Sequence, residues 1–153
     1  MNEVQAEEGV ASLVHVSKRY VDGRERRAAL DDLSLTIPRA SLVVVEGPSG
    51  SGKTTLLGVL GGLVPPTRGA VWLAGKDISH LRDHHRSAWR RDHVGWVFQD
   101  LELLPRAGVL ENVLVPFVPF GGPTADEKSR ALSLLARFGL SDAARTKIER
   151  LSG

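Results

Sequence analysis

Residues Gly47, Pro48, Ser49, Gly50, Ser51, Gly52, Lys53 and Thr54 fit the pattern G-x-x-x-x-G-K-[ST] at every fixed position. The spacing has a physical reason. Gly50 and Gly52 let the backbone turn its N–H groups inward around a phosphate, and a helix starting at Lys53 aims its positive end at the same anion. Lys53 reaches the outer phosphates as a point charge, while Thr54 supplies a hydroxyl to Mg²⁺. The chemistry this spacing serves is the binding of a phosphate chain. A flexible Gly/Ser loop matches the same pattern by chance, so the flanking elements decide between the two.

Those elements are the ones the motif needs. "SLVVVEG" is a short β-branched run, which reads as a strand over Leu42 to Val45 buried on both faces of a parallel sheet and ended by Gly47. From Lys53, Leu56, Leu57 and Leu60 recur at helical spacing until Gly61-Gly62, and Pro65-Pro66 forbids continuation. Upstream, "ASLVHVSKRY" and "AALDDLSLTIP" alternate around the polar turn "VDGRER", predicting a strand pair closed by Pro38. Downstream, "GAVWLAGKDI" reads as a strand, "HLRDHHRSAWRRDH" as a polar helix, and "VGWVFQ" as a second buried strand over Val94 to Phe98. The order is βαβ-type with a smaller β layer, an α/β fold. After Gln99 the chain turns helical. There Thr124 and Glu127 form a capping box ahead of Ala131, Leu134, Leu135 and Phe138 on one helix face, and Gly139 suits the position that ends the helix.

With 153 residues, 42% hydrophobic and 25% charged, the composition is that of one globular domain. There is no internal repeat and no heptad run, which argues against solenoids and coiled coils. A net charge of +2, from 20 Lys+Arg against 18 Asp+Glu, gives no single-sign field of the kind that draws nucleic acid. The absence of Cys rules out a disulfide framework and a thiolate metal site. The N-terminus has no basic stretch followed by an apolar core, so it does not read as a secretory signal. The most apolar later run, "VLVPFVPFGG" from Val113, falls far short of the roughly 20 residues a membrane helix needs. Cytoplasm is the expected compartment.

His80, His84 and His85 stand at a spacing that places two of them on one helix face. Arg82, Arg86, Arg90 and Arg91 surround them and would repel a dication, so the stretch reads as a solvated basic face rather than a metal pair. Trp89 and Trp96 read as packing residues.

Taken together, "VSKRY", "GPSGSGKTTLLGVLGGLVPPTRGAVWLAGKDI", "HVGWVFQD", "LLPRAGVLENV" and "ERLSG" resemble, along almost the whole chain, the ATP-binding subunit of ABC transporters. Within that family the sequence is most similar to the ATPases of lipoprotein-release and macrolide-export systems. The resemblance implies a P-loop NTPase core of RecA-like type, an antiparallel β subdomain and an α-helical subdomain, with residues 1–99 in the first two and 100–153 in the third. It implies ATP and Mg²⁺ as ligands, an integral membrane permease and a second ATP-binding subunit as partners, and a place on the inner face of the cell membrane. Nucleic acid is not an expected partner.

Residue by residue, Tyr20 matches the aromatic position that stacks on adenine. Gly47 to Thr54, together with Thr55, match the Walker A nucleotide loop. Gln99 matches the Q-loop glutamine, which approaches Mg²⁺ and the attacking water. Ser152 and Gly153 match the start of the LSGGQ signature, which faces the nucleotide of the opposite subunit. Residues Leu101 to Val113 match part of the groove that receives a permease helix. Ala107-Gly108 departs from the pattern, since relatives commonly carry a Thr there that caps the next helix, and a loosely started helix is expected.

Beyond Gly153 the resemblance would place the Walker B strand with its Mg²⁺ aspartate and catalytic glutamate, the D-loop and the switch histidine. The expectation is therefore a sheet without its C-terminal strands, and a chain that binds nucleotide poorly and hydrolyses it hardly at all on its own. The rival readings are a different P-loop NTPase, or a non-catalytic truncated P-loop fragment.

Overall fold

The computed structural model of the chain describes residues 9–23, 25–100 and 102–151. Strands β1 (Ala11–Asp22) and β2 (Glu25–Ile37) form the expected antiparallel pair, with Asp22 opposite Glu25 at the turn and Ala11 opposite Ile37 at the far end. Pro38 follows directly, where a residue without an N–H cannot continue the ladder. On the other edge of β1 lies β3 (Arg68–Leu73), which pairs with the short β4 (Lys76–Asp77). The result is a four-stranded antiparallel sheet in the order β2-β1-β3-β4.

Strict alternation would put Leu13 and His15 on one face of β1. Instead Leu13 and Val16 are both fully buried and His15 is exposed, because the register with β2 slips between Leu13 and Val16. His15 takes up the slip at φ 49°, as does Asp32 opposite at φ 47°, and their side chains meet at 2.9 Å. Such a bulge re-aims the strand beyond it.

Helix α1 (Lys53–Leu60) packs Val59 and Leu60 against Leu13, Val16, Leu30, Val71, Leu73 and Ile78 to form the main core. The helix ends where Gly61-Gly62 predicted. Gly62 N–H donates to Val59 O (3.1 Å) and Leu63 N–H to Gly58 O (2.8 Å), the paired bonds of a Schellman stop.

Helix α2 (Asp83–His93) closes this core from one side: Trp89 packs against it and its Nε1 donates to Leu73 O at 2.9 Å. The solvated basic face expected here holds for His80, Arg82, His84, His85 and Arg91, which are exposed, but not for Arg86 and Arg90. Arg86 is buried, donating to Leu81 O and paired with Asp83, and Arg90 donates to Gly62 O at 2.9 Å. Burial, then the neighbouring Arg86 charge, lower the Arg90 pKa from its ordinary value. The arginine stems cover apolar surface while their heads satisfy carbonyls, which a count of charges along a helix does not reveal. No group of three His, Cys, Asp or Glu able to hold a metal occurs among the described residues.

The two parallel strands read from the sequence do not form as strands. Neither residues 42–45 nor 94–98 enter a ladder among the described residues. Leu42 is 92% exposed and Val97 89% exposed, so these runs lack the covering layers that their composition anticipates. A strand is a paired object: β-branched residues favour extended backbone, and a neighbouring strand supplies the hydrogen bonds.

The chain divides into two compact units, Met1–Gly95 and Trp96–Gly153. The second contains α3 (Val109–Leu114), a 3₁₀ turn over Val115–Phe120, α4 (Ala125–Arg137) and a 3₁₀ turn over Ile148–Arg150. Its small core joins Val109, Leu135 and Ala144. Helix α4 starts as expected: Thr124 N–H donates to Glu127 Oε2 at 2.7 Å and Glu127 N–H donates to Thr124 Oγ1 at 3.3 Å. Thr124→Ala should lower the stability of this unit by about 1 kcal/mol, read as earlier melting or faster amide exchange in the first turn of α4. Ala131 and Leu135 are buried on the expected face, but Leu134 and Phe138 are exposed. Val109 and Ala144 cover the helix around Leu135, and Phe138 lies past them at the C-cap.

Helix α3 does not start loosely. Gly108 has no side chain to accept a bond, yet its N–H donates to Glu111 Oε2 at 2.7 Å. Asn112 supplies the rest, its Oδ1 accepting from Leu104 N–H (2.7 Å) and its Nδ2 donating to the carbonyls of Leu104 (3.1 Å) and Gly108 (3.0 Å).

Candidate nucleotide-binding site

The glycine loop is built against the sheet. Gly52 is the N-cap of α1 at φ 92°, a left-handed conformation, and its α-carbon faces the Ala29 carbonyl so closely that a Cβ would collide with that oxygen. Glycine at this position therefore answers two demands at once. Lys53 folds back over the loop, its Nζ donating to Gly47 O and Pro48 O, each at 2.8 Å, with Ser51 Oγ at 3.5 Å. The ammonium thus sits over the concave side of the loop, at the positive end of α1. Thr54 is exposed one residue further on and Thr55 is half-buried. An exposed hydroxyl at that point fits Mg²⁺, a cation that takes one or two protein oxygens and completes its shell with phosphate and water.

A cavity of ≈ 390 Å³ lies under the loop, lined by Ala29, Leu30, Asp31 and Leu33 of β2, by Val45 to Pro48, and by Ser51, Gly52, Lys53 and Leu56. Its lining mixes aliphatic residues with the polar or charged Asp31, Glu46, Ser51 and Lys53. Gly50 and Thr54 are not among the residues that line it.

Tyr20 is near the end of β1 and 43% exposed, with the Lys18 ammonium 5.2 Å from its ring centroid. Its cross-strand partner is Arg27, whose Nη2 lies 3.5 Å from Gly50 O of the loop. The hairpin therefore brings the ring and the loop into one neighbourhood within the first unit, with Arg27 between them. The sequence reading missed Arg27. The signal was available, because a two-residue turn after Asp22 pairs position 20 with position 27.

Gln99 is exposed in a turn with Asp100, in the second unit, after the stacked rings of Trp96 and Phe98 (5.7 Å between centroids). The loop downstream is pinned: besides the Asn112 bonds, Ile148 N–H donates to Ala107 O (3.1 Å) and Glu149 N–H to Pro105 O (3.1 Å). Leu101, Ser152 and Gly153 lie outside the described residues.

The family model for ABC transporters matches residues 30–153. The chain belongs to the ABC transporter family. It is 41% identical over 141 residues to the macrolide export ATP-binding/permease protein MacB of Burkholderia pseudomallei (strain 1710b), a match covering 92% of this chain and 22% of that protein. To the lipoprotein-releasing system ATP-binding protein LolD 1 of Rhodopirellula baltica it is 41% identical over 138 residues, 90% of this chain and 60% of that one. Among solved structures, the ATP-binding cassette MJ0796, a dimer in a post-hydrolysis state bound to ADP and Pi, superposes with a TM-score of 0.80 at 36% identity. That likeness covers 93% of this chain and 63% of the other. The ABC cassette fold, a P-loop NTPase with an antiparallel sheet and helices, is thereby established, and the chain spans less than two thirds of these relatives. Among the described residues no helix is long and apolar enough to cross a membrane.

Proposed function

We propose that this chain forms the nucleotide-holding part of an ABC transporter motor of the lipoprotein-release and macrolide-export type. Adenine stacks on Tyr20, the phosphates lie in residues Gly47 to Thr55, and Thr54 supplies a hydroxyl to Mg²⁺. The observation that carries this reading is the Lys53 ammonium held over the mouth of the glycine loop at the positive end of α1. The ADP and Pi bound to the similar cassette, and the family's role in transport, support it.

In this reading residues 1–99 are the β subdomain and nucleotide core and 100–153 the helical subdomain. ATP hydrolysis drives export or membrane extraction through a permease, with the motor on the cytoplasmic side. The signature residues Ser152 and Gly153 serve the nucleotide of a second ATP-binding subunit. Gln99 is a carboxamide and takes no proton from water, so it positions the attacking water while a base outside this constellation activates it.

The test is calorimetric titration of the chain with a non-hydrolysable ATP analogue, alongside Tyr20→Ala and Tyr20→Phe. Loss of the ring should weaken binding by ~1–3 kcal/mol, and Phe should bind as the parent does, because the ring face and not the hydroxyl stacks. If Phe were as damaging as Ala, stacking would be the wrong role; if the parent bound no analogue, the whole reading would fall.

A further inference from the structure

We propose that Arg27 is a nucleotide-binding residue, a second cation that contacts the inner part of the phosphate chain as it passes from Tyr20 to the glycine loop. The inference rests on the reading of the site given above. In an antiparallel pair, residues directly opposite share a face with their Cβ atoms about 5 Å apart, so Arg27 leaves the sheet on the side that carries Tyr20. Its guanidinium extends to the loop, where Nη2 lies 3.5 Å from Gly50 O and would be 3.4 Å from a Cβ at Gly50.

A nucleotide with its base on Tyr20 and its outer phosphates at Lys53 must cross the gap that Arg27 spans. The other two nearby cations are already placed. Lys18 donates to Pro65 O at 2.9 Å, and Lys53 donates to two carbonyls of the loop itself. Arg27 is exposed and, among the described residues, makes a single hydrogen bond at the outer limit of length, which leaves most of its five N–H donors for an anion. A planar fork suits a phosphate oxygen pair better than it suits one carbonyl.

The test titrates the parent chain, Arg27→Ala, Arg27→Lys and Lys53→Ala with ATP, ADP and adenosine, at low and high salt. Arg27→Ala should weaken ATP and ADP by the same factor of about ten and leave adenosine unchanged, with the difference shrinking as salt rises. Lys should recover part of the loss, and the melting temperature should not move, because the side chain is exposed. Equal binding of ATP by Arg27→Ala and the parent, with Lys53→Ala weakened, would overturn the role of Arg27 and leave the proposed function standing. An adenosine loss as large as the ATP loss would likewise overturn it, showing that Arg27 acts through the Tyr20 surface. A parent chain that binds no nucleotide, or binds it as well as Lys53→Ala does, would remove both the site and the role of Arg27 in it.

Discussion

Lys53→Ala should lower the affinity of the chain for ATP on the order of 10²-fold. The ammonium is seated over the loop and donates to two of its carbonyls, and hydrogen bonds to charged groups contribute about 1.5–3 kcal/mol each. Its removal leaves Gly47 O and Pro48 O without that donor, but both residues are exposed, so water replaces it and the fold persists. Lys53→Arg should also bind weakly, since a bulky planar group does not fit where a compact point charge does. Titration with a non-hydrolysable analogue, and circular dichroism to show that both variants are folded, measure this. A variant that binds as the parent does would remove the phosphate assignment.

Gly52→Ala should be the more damaging change to the fold. Two costs add. A left-handed backbone costs a non-glycine residue roughly 1–2 kcal/mol, and the new Cβ collides with the Ala29 carbonyl, a backbone atom of β2 that cannot rotate away. The sum is about 3 kcal/mol, a fall in melting temperature of roughly 10 °C. Gly75→Ala separates the two costs. Gly75 has a similar φ of 78° in the β3–β4 turn, but a Cβ there meets nothing within 4 Å, so only the backbone cost of about 1 kcal/mol applies. Equal melting of the two variants would show that the loop yields to the collision, and that the sheet does not fix its position.

What the sequence made legible was whatever short-range chemistry decides. The Thr124 and Glu127 box, the Gly61-Gly62 stop and the β1–β2 hairpin all depend on residues a few positions apart, and each forms as read. What depends on distant partners was less legible. Residues 42–45 and 94–98 carry the composition of buried strands, but pairing is settled by neighbours, and no described strand supplies one. Arg86 looks like a surface charge until Leu81 O and Asp83 are seen around it. The role of Asn112 was hidden for the same reason, since its bonds run to a loop eight residues away whose shape no spacing rule gives. Arg27 is the intermediate case: its place opposite Tyr20 follows from the turn, whereas its reach to Gly50 depends on where the loop lies over the sheet.

Helix α1 has only eight residues, a length at which an isolated peptide is almost entirely unwound in water. Its C-terminal end is held by the Arg90 guanidinium on Gly62 O, and its N-terminal end lies close against the Ala29 carbonyl of β2. A tethered helix of this kind is ordered before any ligand arrives. Nucleotide capture then carries little folding with it, and its heat-capacity change should reflect the area of one stacked base, far smaller than that of a segment winding up around its ligand.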